Sequence, residues 1–167
     1  DFETDASVGS PMGGIKSKLT SKAYKGKKAL YVSNREQDWN SHGLEHELSA
    51  LYDCAHGAGL AVIMPAWMEY VMNHDVMRFA QIAVRVWGCQ MDFAHPEVTA
   101  KEGIEALRSF LISIGMPKNF EELGAKEEDI EKLAYTCCYG KGNEGGTIGG
   151  FVPLKQKDVE TIYKLMV

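Results

Sequence analysis

The chain has 167 residues, of which 45% are hydrophobic and 25% are charged. This length suits one ordinary domain, which can bury enough apolar surface to fold without a disulfide or a structural metal. The 18 Lys and Arg residues against 23 Asp and Glu residues give a net charge of −5, which argues against a nucleic acid as partner.

No membrane-spanning segment is expected. The longest apolar run, residues 59–68, is interrupted by Pro65 and falls well short of the roughly 20 residues that span a bilayer. The first residues lack the basic start and apolar stretch of a secretory signal. The cysteines have no C-x-x-C spacing and stand at Cys54, Cys89, Cys137 and Cys138. We therefore expect a soluble, cytoplasmic protein in a reducing compartment.

Residues 1–28 differ in composition from the rest of the chain. They are rich in glycine, and six lysines without an acidic residue lie between Lys16 and Lys28. The glycine-rich piece at 9–14 contains Pro11 and is not followed by the Lys-Ser/Thr pair of a phosphate-binding loop. We predict a loosely ordered leader here.

From residue 40 the apolar residues recur at helical spacing. The first such stretch, 44–52, contains Leu44 and Leu48, and further stretches cover 76–87 and 104–114. Each predicts an amphipathic helix with one core-facing stripe. The first is followed by an apolar helix that begins near residue 56.

Two more helices are predicted downstream, at about 126–139 and 157–166, with a glycine-rich loop over 140–150 between them. The first of these two opens with an acidic turn, which suits the positive end of a helix dipole. No stretch of the chain shows sustained alternation with a period of two residues. We therefore predict an all-α fold, a helical bundle over residues 29–167.

Three of the five histidines lie close together in the sequence, at His42, His46 and His56. The first two are four residues apart and therefore share one face of a helix. His56 lies beyond a helix end and can return to the same region if the next helix folds back. Imidazoles bind metals and transfer protons near neutral pH, so a metal site or a proton-transfer site is indicated, with several pairings open.

The segment from His42 to His46 also matches H-x-x-E-H, a motif of zinc peptidases. There, both histidines would bind zinc and Glu45 would activate water. This alternative needs a third ligand, for which Glu121 or Glu122 is a candidate, and it implies a mixed α/β domain that the helical pattern does not support.

A longer set of motifs runs from residue 38 to the end of the chain. It comprises DW at 38–39, HGLEHELSA at 42–50, YD at 52–53, HGAGLAV at 56–62, PAWM at 65–68, RVWG at 85–88 and IGGFVPL at 148–154. These motifs resemble the iron-containing (group III) alcohol dehydrogenases, specifically the butanol dehydrogenase branch. The resemblance covers about residues 29–167 and implies the carboxy-terminal, dehydroquinate synthase-like helical domain of that family.

The resemblance also implies roles for the three histidines. In this family an aspartate and three histidines hold a divalent metal, and the last two histidines are fourteen residues apart. That spacing assigns the metal to His42 and His56, while His46 is similar to the histidine linked to proton transfer. The implied cofactors are iron or zinc together with NAD(P)H, and the implied substrates are small alcohols or aldehydes.

The nucleotide-binding domain of the family and its first two metal ligands are absent from these 167 residues. We therefore expect the chain to be inactive alone. It is then a truncated gene product or a subunit completed by a separate nucleotide-binding chain, and we expect a homo-oligomer because the missing domain would leave an apolar face exposed. The alternative from another functional class is a non-enzymatic helical module for oligomerisation or interaction.

Overall fold

The computed structural model describes residues 16–20, 29–33, 38–140 and 145–167. The chain divides into two units, Asp1–Asp38 and Trp39–Val167.

The described part of the first unit is a pair of strands. Strands β1 (Lys16–Thr20) and β2 (Ala29–Ser33) pair antiparallel, with Lys18 opposite Tyr31. The sequence did not predict them, because short runs of this kind show no clear period. Apart from β1, the leader predicted at 1–28 lies outside the described residues.

The second unit is helical, as predicted. Its α-helices are α1 (Asn40–Tyr52), α2 (His56–Val71), α3 (Val76–Ile82), α4 (Pro96–Ser113), α5 (Phe120–Leu123), α6 (Ile130–Tyr139) and α7 (Gln156–Lys164). Short 3₁₀ turns occupy Met72–His74 and Glu127–Asp129, and a π-helical turn occupies Ala83–Trp87. Two-residue strands β3 (Thr147–Ile148) and β4 (Leu154–Lys155) pair antiparallel before α7. No helix in the described ranges has the length and apolarity that crossing a bilayer requires.

The all-α prediction is confirmed, with differences in detail. The helix predicted over 76–87 is α-helical only as far as Ile82 and then widens into the π-helical turn, which ends at Gly88 with a φ of 72°. The helix predicted from 126 begins as a 3₁₀ turn, and α5 was not predicted. Part of the glycine-rich loop predicted over 140–150, residues 141–144, lies outside the described residues.

The π-helical turn lies against α4 at a close contact. A Cβ added to Gly103 would lie 2.3 Å from the Cβ of Ala83 and 2.7 Å from its Cα. Two small residues therefore let the backbones approach, and no larger side chain fits at Gly103 unless the two segments separate.

The core lies between α1, α2, α6 and α7. Helix α1 packs on α2 and α6, and α7 packs on α6 and α2. Fully buried side chains from each of these helices meet there: Leu44, Leu48, Ile63, Ala134, Val159, Ile162 and Tyr163. Helix α1 begins two residues after Asp38. Burying one leucine of this kind contributes about 1.5–3 kcal/mol to the stability of the fold, so the apolar stripe of α1 stabilises its packing in the core.

A polar contact reinforces the packing of α7 on α2. The hydroxyl of Tyr70 donates a 2.7 Å hydrogen bond to Asp158, which also accepts a 2.7 Å bond from the Lys155 amide at the start of α7. The hydrogen bond to Asp158, with a further contribution from burial, raises the pKa of Tyr70 to about 12. Asp158 therefore both caps α7 and connects it to α2.

Candidate metal centre

The three histidines predicted as site residues lie together in the structure. His42 and His46 project from one face of α1, and His56 is the first residue of α2. The ring centroids of His42 and His56 are 5.4 Å apart, those of His46 and His56 are 5.5 Å apart, and those of His42 and His46 are 6.5 Å apart. The spacing in the sequence predicted His42 and His46 as neighbours, and the turn between α1 and α2 brings His56 next to them.

That turn has only three residues. Asp53 ends α1 in the left-handed region at a φ of 52°, and its amide donates a 3.0 Å bond to the Ser49 carbonyl. Ala55 is extended, and its carbonyl accepts bonds of 2.9 and 3.0 Å from the amides of Ala58 and Gly59. This sharp reversal places the first turn of α2 beside the histidine face of α1.

A buried carboxylate lies directly behind the histidines. The Glu45 side chain is 0% exposed, and one of its oxygens contacts Nδ1 of His56. Its other oxygen accepts a hydrogen bond from the hydroxyl of Ser49 one turn along α1. A carboxylate taken out of water is costly unless its oxygens are paired, and here both oxygens have partners.

The backbone of α2 leaves just enough room for this carboxylate. A Cβ added to Gly59 would lie 2.7 Å from both Cγ and Oε1 of Glu45. At Gly57, on the same helix, an added Cβ would meet nothing within 4 Å. The absence of a side chain at Gly59 is therefore a condition for the position of Glu45.

The donor atoms of the cluster fit a divalent metal. Ligand atoms of Glu45, His46 and His56 all lie within 4.8 Å of one another, and His42 adds a fourth group beside His56. Imidazole nitrogen with carboxylate oxygen is a donor set that suits iron or zinc. The structure thus brings together every predicted site residue and adds Glu45, which the sequence indicated only through the peptidase motif.

The cluster is accessible from one side. His46 is exposed, His56 has 49% of its side chain exposed, and His42 is half-buried with its ring 4.9 Å from Trp39. Glu45, in contact with His56, is fully buried. An arrangement with buried support and an open face leaves room for further ligands or for a substrate.

The helix that carries two of the histidines is tied to the end of the described chain. The buried hydroxyl of Tyr163 on α7 donates a 2.8 Å bond to the Leu44 carbonyl, between His42 and His46. Burial raises the pKa of Tyr163 well above its ordinary value, so the hydroxyl keeps its proton and remains a donor. This bond fixes the middle of α1.

The other two histidines have different surroundings. His74 packs edge-on against Phe151 at 4.9 Å between ring centroids, and Nδ1 of His95 lies 3.5 Å from Glu97. These contacts indicate no functional role for either residue.

This helical fold and its histidine cluster define a helical domain with a candidate metal centre. The profile described as the Fe-containing alcohol dehydrogenase family, C-terminal, matches residues 23–167. The chain therefore belongs to the iron-containing alcohol dehydrogenase family and corresponds to the C-terminal part of its members, as the motifs indicated.

Two of the similar relatives are named as butanol dehydrogenases. The chain is 37% identical to NADH-dependent butanol dehydrogenase A of Clostridium acetobutylicum over 136 residues, which is 81% of this chain and 34% of that protein. It is 35% identical to the probable NADH-dependent butanol dehydrogenase 1 of Bacillus subtilis, over 76% of this chain and 32% of that protein.

A solved structure agrees with this placement. The crystal structure of NADH-dependent butanol dehydrogenase A from Thermotoga maritima superposes with a TM-score of 0.72 at 36% identity, covering 80% of this chain and 34% of that one. The chain spans about a third of the length of the relatives it matches.

Proposed function

We propose that this chain supplies the metal-binding helical part of an NAD(P)-dependent dehydrogenase that interconverts small alcohols and aldehydes. The observation that carries the proposal is the meeting of His42, His46 and His56 from two helices, backed by buried Glu45, in a chain of this family. The relatives named as butanol dehydrogenases support the substrate class.

Separate roles are proposed for the histidines. His42 and His56 are metal ligands, and His46, which is exposed, accepts and returns the proton of the alcohol group. The metal, iron or zinc, would act as a Lewis acid toward the oxygen of the alcohol or aldehyde. His46 projects from the same face of α1 as His42, so a substrate oxygen near the metal ligands would lie within reach of its ring.

The hydride must come from a nicotinamide cofactor. We propose that NAD(P)H binds to a nucleotide-binding domain outside these 167 residues, carried by the same polypeptide or by a partner chain. On this proposal the open side of the histidine cluster faces the cofactor, and the 167 residues alone do not reduce aldehydes. Steady reduction of butyraldehyde with NADH or NADPH by the purified 167-residue chain would overturn this part of the proposal.

The zinc peptidase alternative has less support from the geometry. It requires Glu45 to hold a water molecule at the metal, but this carboxylate is fully buried and its two oxygens contact Ser49 and His56. The histidine pair that it uses, His42 and His46, has the largest ring separation of the three pairs.

Metal binding tests the ligand assignment. We expect the purified chain to bind about one Zn²⁺ or, without oxygen, one Fe²⁺, as measured by calorimetry and elemental analysis. His42→Ala and His56→Ala should each abolish or greatly weaken binding, because each removes a ligand, whereas His46→Ala should retain it.

His95→Ala is the matched control, since it removes an exposed imidazole that has no predicted role. Retention of the metal in His42→Ala together with its loss in His46→Ala would contradict the assignment and favour the set of Glu45, His46 and His56. A wild-type chain that binds no divalent metal would favour the non-enzymatic helical module.

A further inference from the structure

The contact between Glu45 and His56 involves one particular nitrogen of the imidazole. The carboxylate meets Nδ1, and so Nε2 is left for other partners. A neutral imidazole carries one proton, and the nitrogen without it is the one that can bind a metal. Which nitrogen bears the proton therefore decides whether His56 can act as a ligand through Nε2.

We propose that Glu45 is a positioning residue that holds His56 in the tautomer protonated at Nδ1 and so presents Nε2 as a metal ligand. The proposal rests on the proposed function, because it concerns one of the two histidines assigned to the metal. Glu45 is then not a metal ligand itself, because its carboxylate acts on the metal only through His56.

The surroundings of Glu45 favour this assignment of protons. An ionised carboxylate only accepts hydrogen bonds, and the Ser49 hydroxyl approaches one of its oxygens as a donor. The remaining oxygen then requires a donor as well, because it is buried, and the neighbour available in the structure is Nδ1 of His56. Satisfying both oxygens thus places the imidazole proton on Nδ1.

Neighbouring groups keep the carboxylate in this position. The Ser49 hydroxyl also lies 3.1 Å from the Cys54 carbonyl and 3.8 Å from the Cys54 sulfur, so the turn itself restrains it. Gly59 packs against the side chain of Glu45 from α2. Carboxylate groups behind metal-binding histidines fix the ring orientation and make the ligand more basic.

The opposing possibility is that Glu45 binds the metal directly. Its ligand atom lies within 4.8 Å of those of His46 and His56. However, a direct ligand would have to give up its contact with Nδ1, and a carboxylate with no exposed surface would have to turn toward the open side. The two possibilities differ in the state of His56 before any metal is added.

The tautomer of His56 can be read directly from the metal-free chain. Long-range proton–nitrogen spectra of the uniformly ¹⁵N-labelled 167-residue chain at about pH 8, where an ordinary imidazole is neutral, distinguish the two tautomers. His56→Ala assigns the signal. We expect Nδ1–H in the wild type, its retention in Glu45→Gln, whose amide oxygen can still accept, and a shift to Nε2–H in Glu45→Leu.

Zn²⁺ affinity provides the second measurement. Mutation of a carboxylate that hydrogen-bonds to a metal-binding histidine typically lowers metal affinity by roughly 10–100-fold. We therefore expect the Zn²⁺ affinity to fall about 10-fold in Glu45→Gln and about 100-fold in Glu45→Leu. Glu131→Gln, an exposed carboxylate on α6, controls for the change of one charge and should leave the affinity unchanged. If Glu45→Leu does not fold by circular dichroism, the wild-type tautomer and Glu45→Gln decide the matter.

The possible results test the positioning role of Glu45 and the proposed metal function separately. An Nε2–H tautomer in the wild-type chain, or unchanged Zn²⁺ affinity in a folded Glu45→Leu variant, would overturn the positioning role. A wild-type chain that shows Nδ1–H but binds no Zn²⁺ would overturn the proposed metal function while supporting the hydrogen bond.

Discussion

Replacing Gly59 with alanine should disturb the candidate metal centre through a single methyl group. The new Cβ would lie 2.7 Å from Cγ and Oε1 of Glu45, where ordinary contacts are 3.4–4 Å. Because this carboxylate is buried and held by Ser49 and His56, it cannot move aside without losing a hydrogen bond. Gly57→Ala offers a matched control, since its Cβ would meet nothing within 4 Å.

The size of the effect follows from two opposing contributions. Alanine in place of glycine stabilises a helix by up to about 1 kcal/mol, and this gain applies to both variants. Overpacking costs about 1–3 kcal/mol, and this loss applies to Gly59→Ala only. The difference between the two variants therefore isolates the overlap at about 1–3 kcal/mol. For a chain of this size, that corresponds to a difference in Tm of about 2–12 °C.

Thermal and urea unfolding followed by circular dichroism measure the difference, and calorimetry with Zn²⁺ measures the consequence for the site. We expect Gly57→Ala to be as stable as the wild type or slightly more so. Gly59→Ala should be less stable than Gly57→Ala and should bind Zn²⁺ more weakly. Equal gains in stability for both variants would refute the packing of Glu45 against Gly59.

Three further predictions concern the scaffold. Gly103→Ala should destabilise the chain by about 3 kcal/mol, the upper end for overpacking, because its Cβ would lie 2.3 Å from that of Ala83; an unchanged urea midpoint would contradict this. Tyr163→Phe should cost about 0.5–1.5 kcal/mol in urea unfolding, since it removes one hydrogen bond from a carbonyl that keeps its helical partner; no loss would mean that the bond does not contribute. The hydrogen bond to Asp158 raises the pKa of Tyr70 from 10.0 to about 12, so its stabilisation is complete below the unfolded value and is lost as the pH rises from about 10 to 12. Urea titrations across that window should show a shallower decline in Tyr70→Phe than in the wild type, and identical slopes would refute the assignment.

The helices were predictable where burial is periodic. Leu44 and Leu48 mark the core side of α1 in the sequence, and both are fully buried in the structure. The π-helical turn was not predictable, because it coincides with the close approach of Ala83 and Gly103, residues twenty positions apart in the sequence. Local spacing carries no information about such a contact.

The candidate site was also predictable from the sequence only in part. His42 and His46 were predicted as neighbours because four residues span about one turn of a helix. The place of His56 depends on the left-handed residue Asp53, which spacing alone does not reveal. The contacts of Glu45 were missed, although a signal existed: Ser49 follows four residues later and so lies on the same face of α1.

The bond from Tyr163 to the Leu44 carbonyl also has a consequence for synthesis of the chain. Its two partners are 119 residues apart, so at about 5–20 residues per second the ribosome needs roughly 6–24 s to make the second after the first. During that interval the helix that bears His42 and His46 lacks its contact with α7. The part of α1 between His42 and His46 should therefore reach its final form only after α7 has been synthesised.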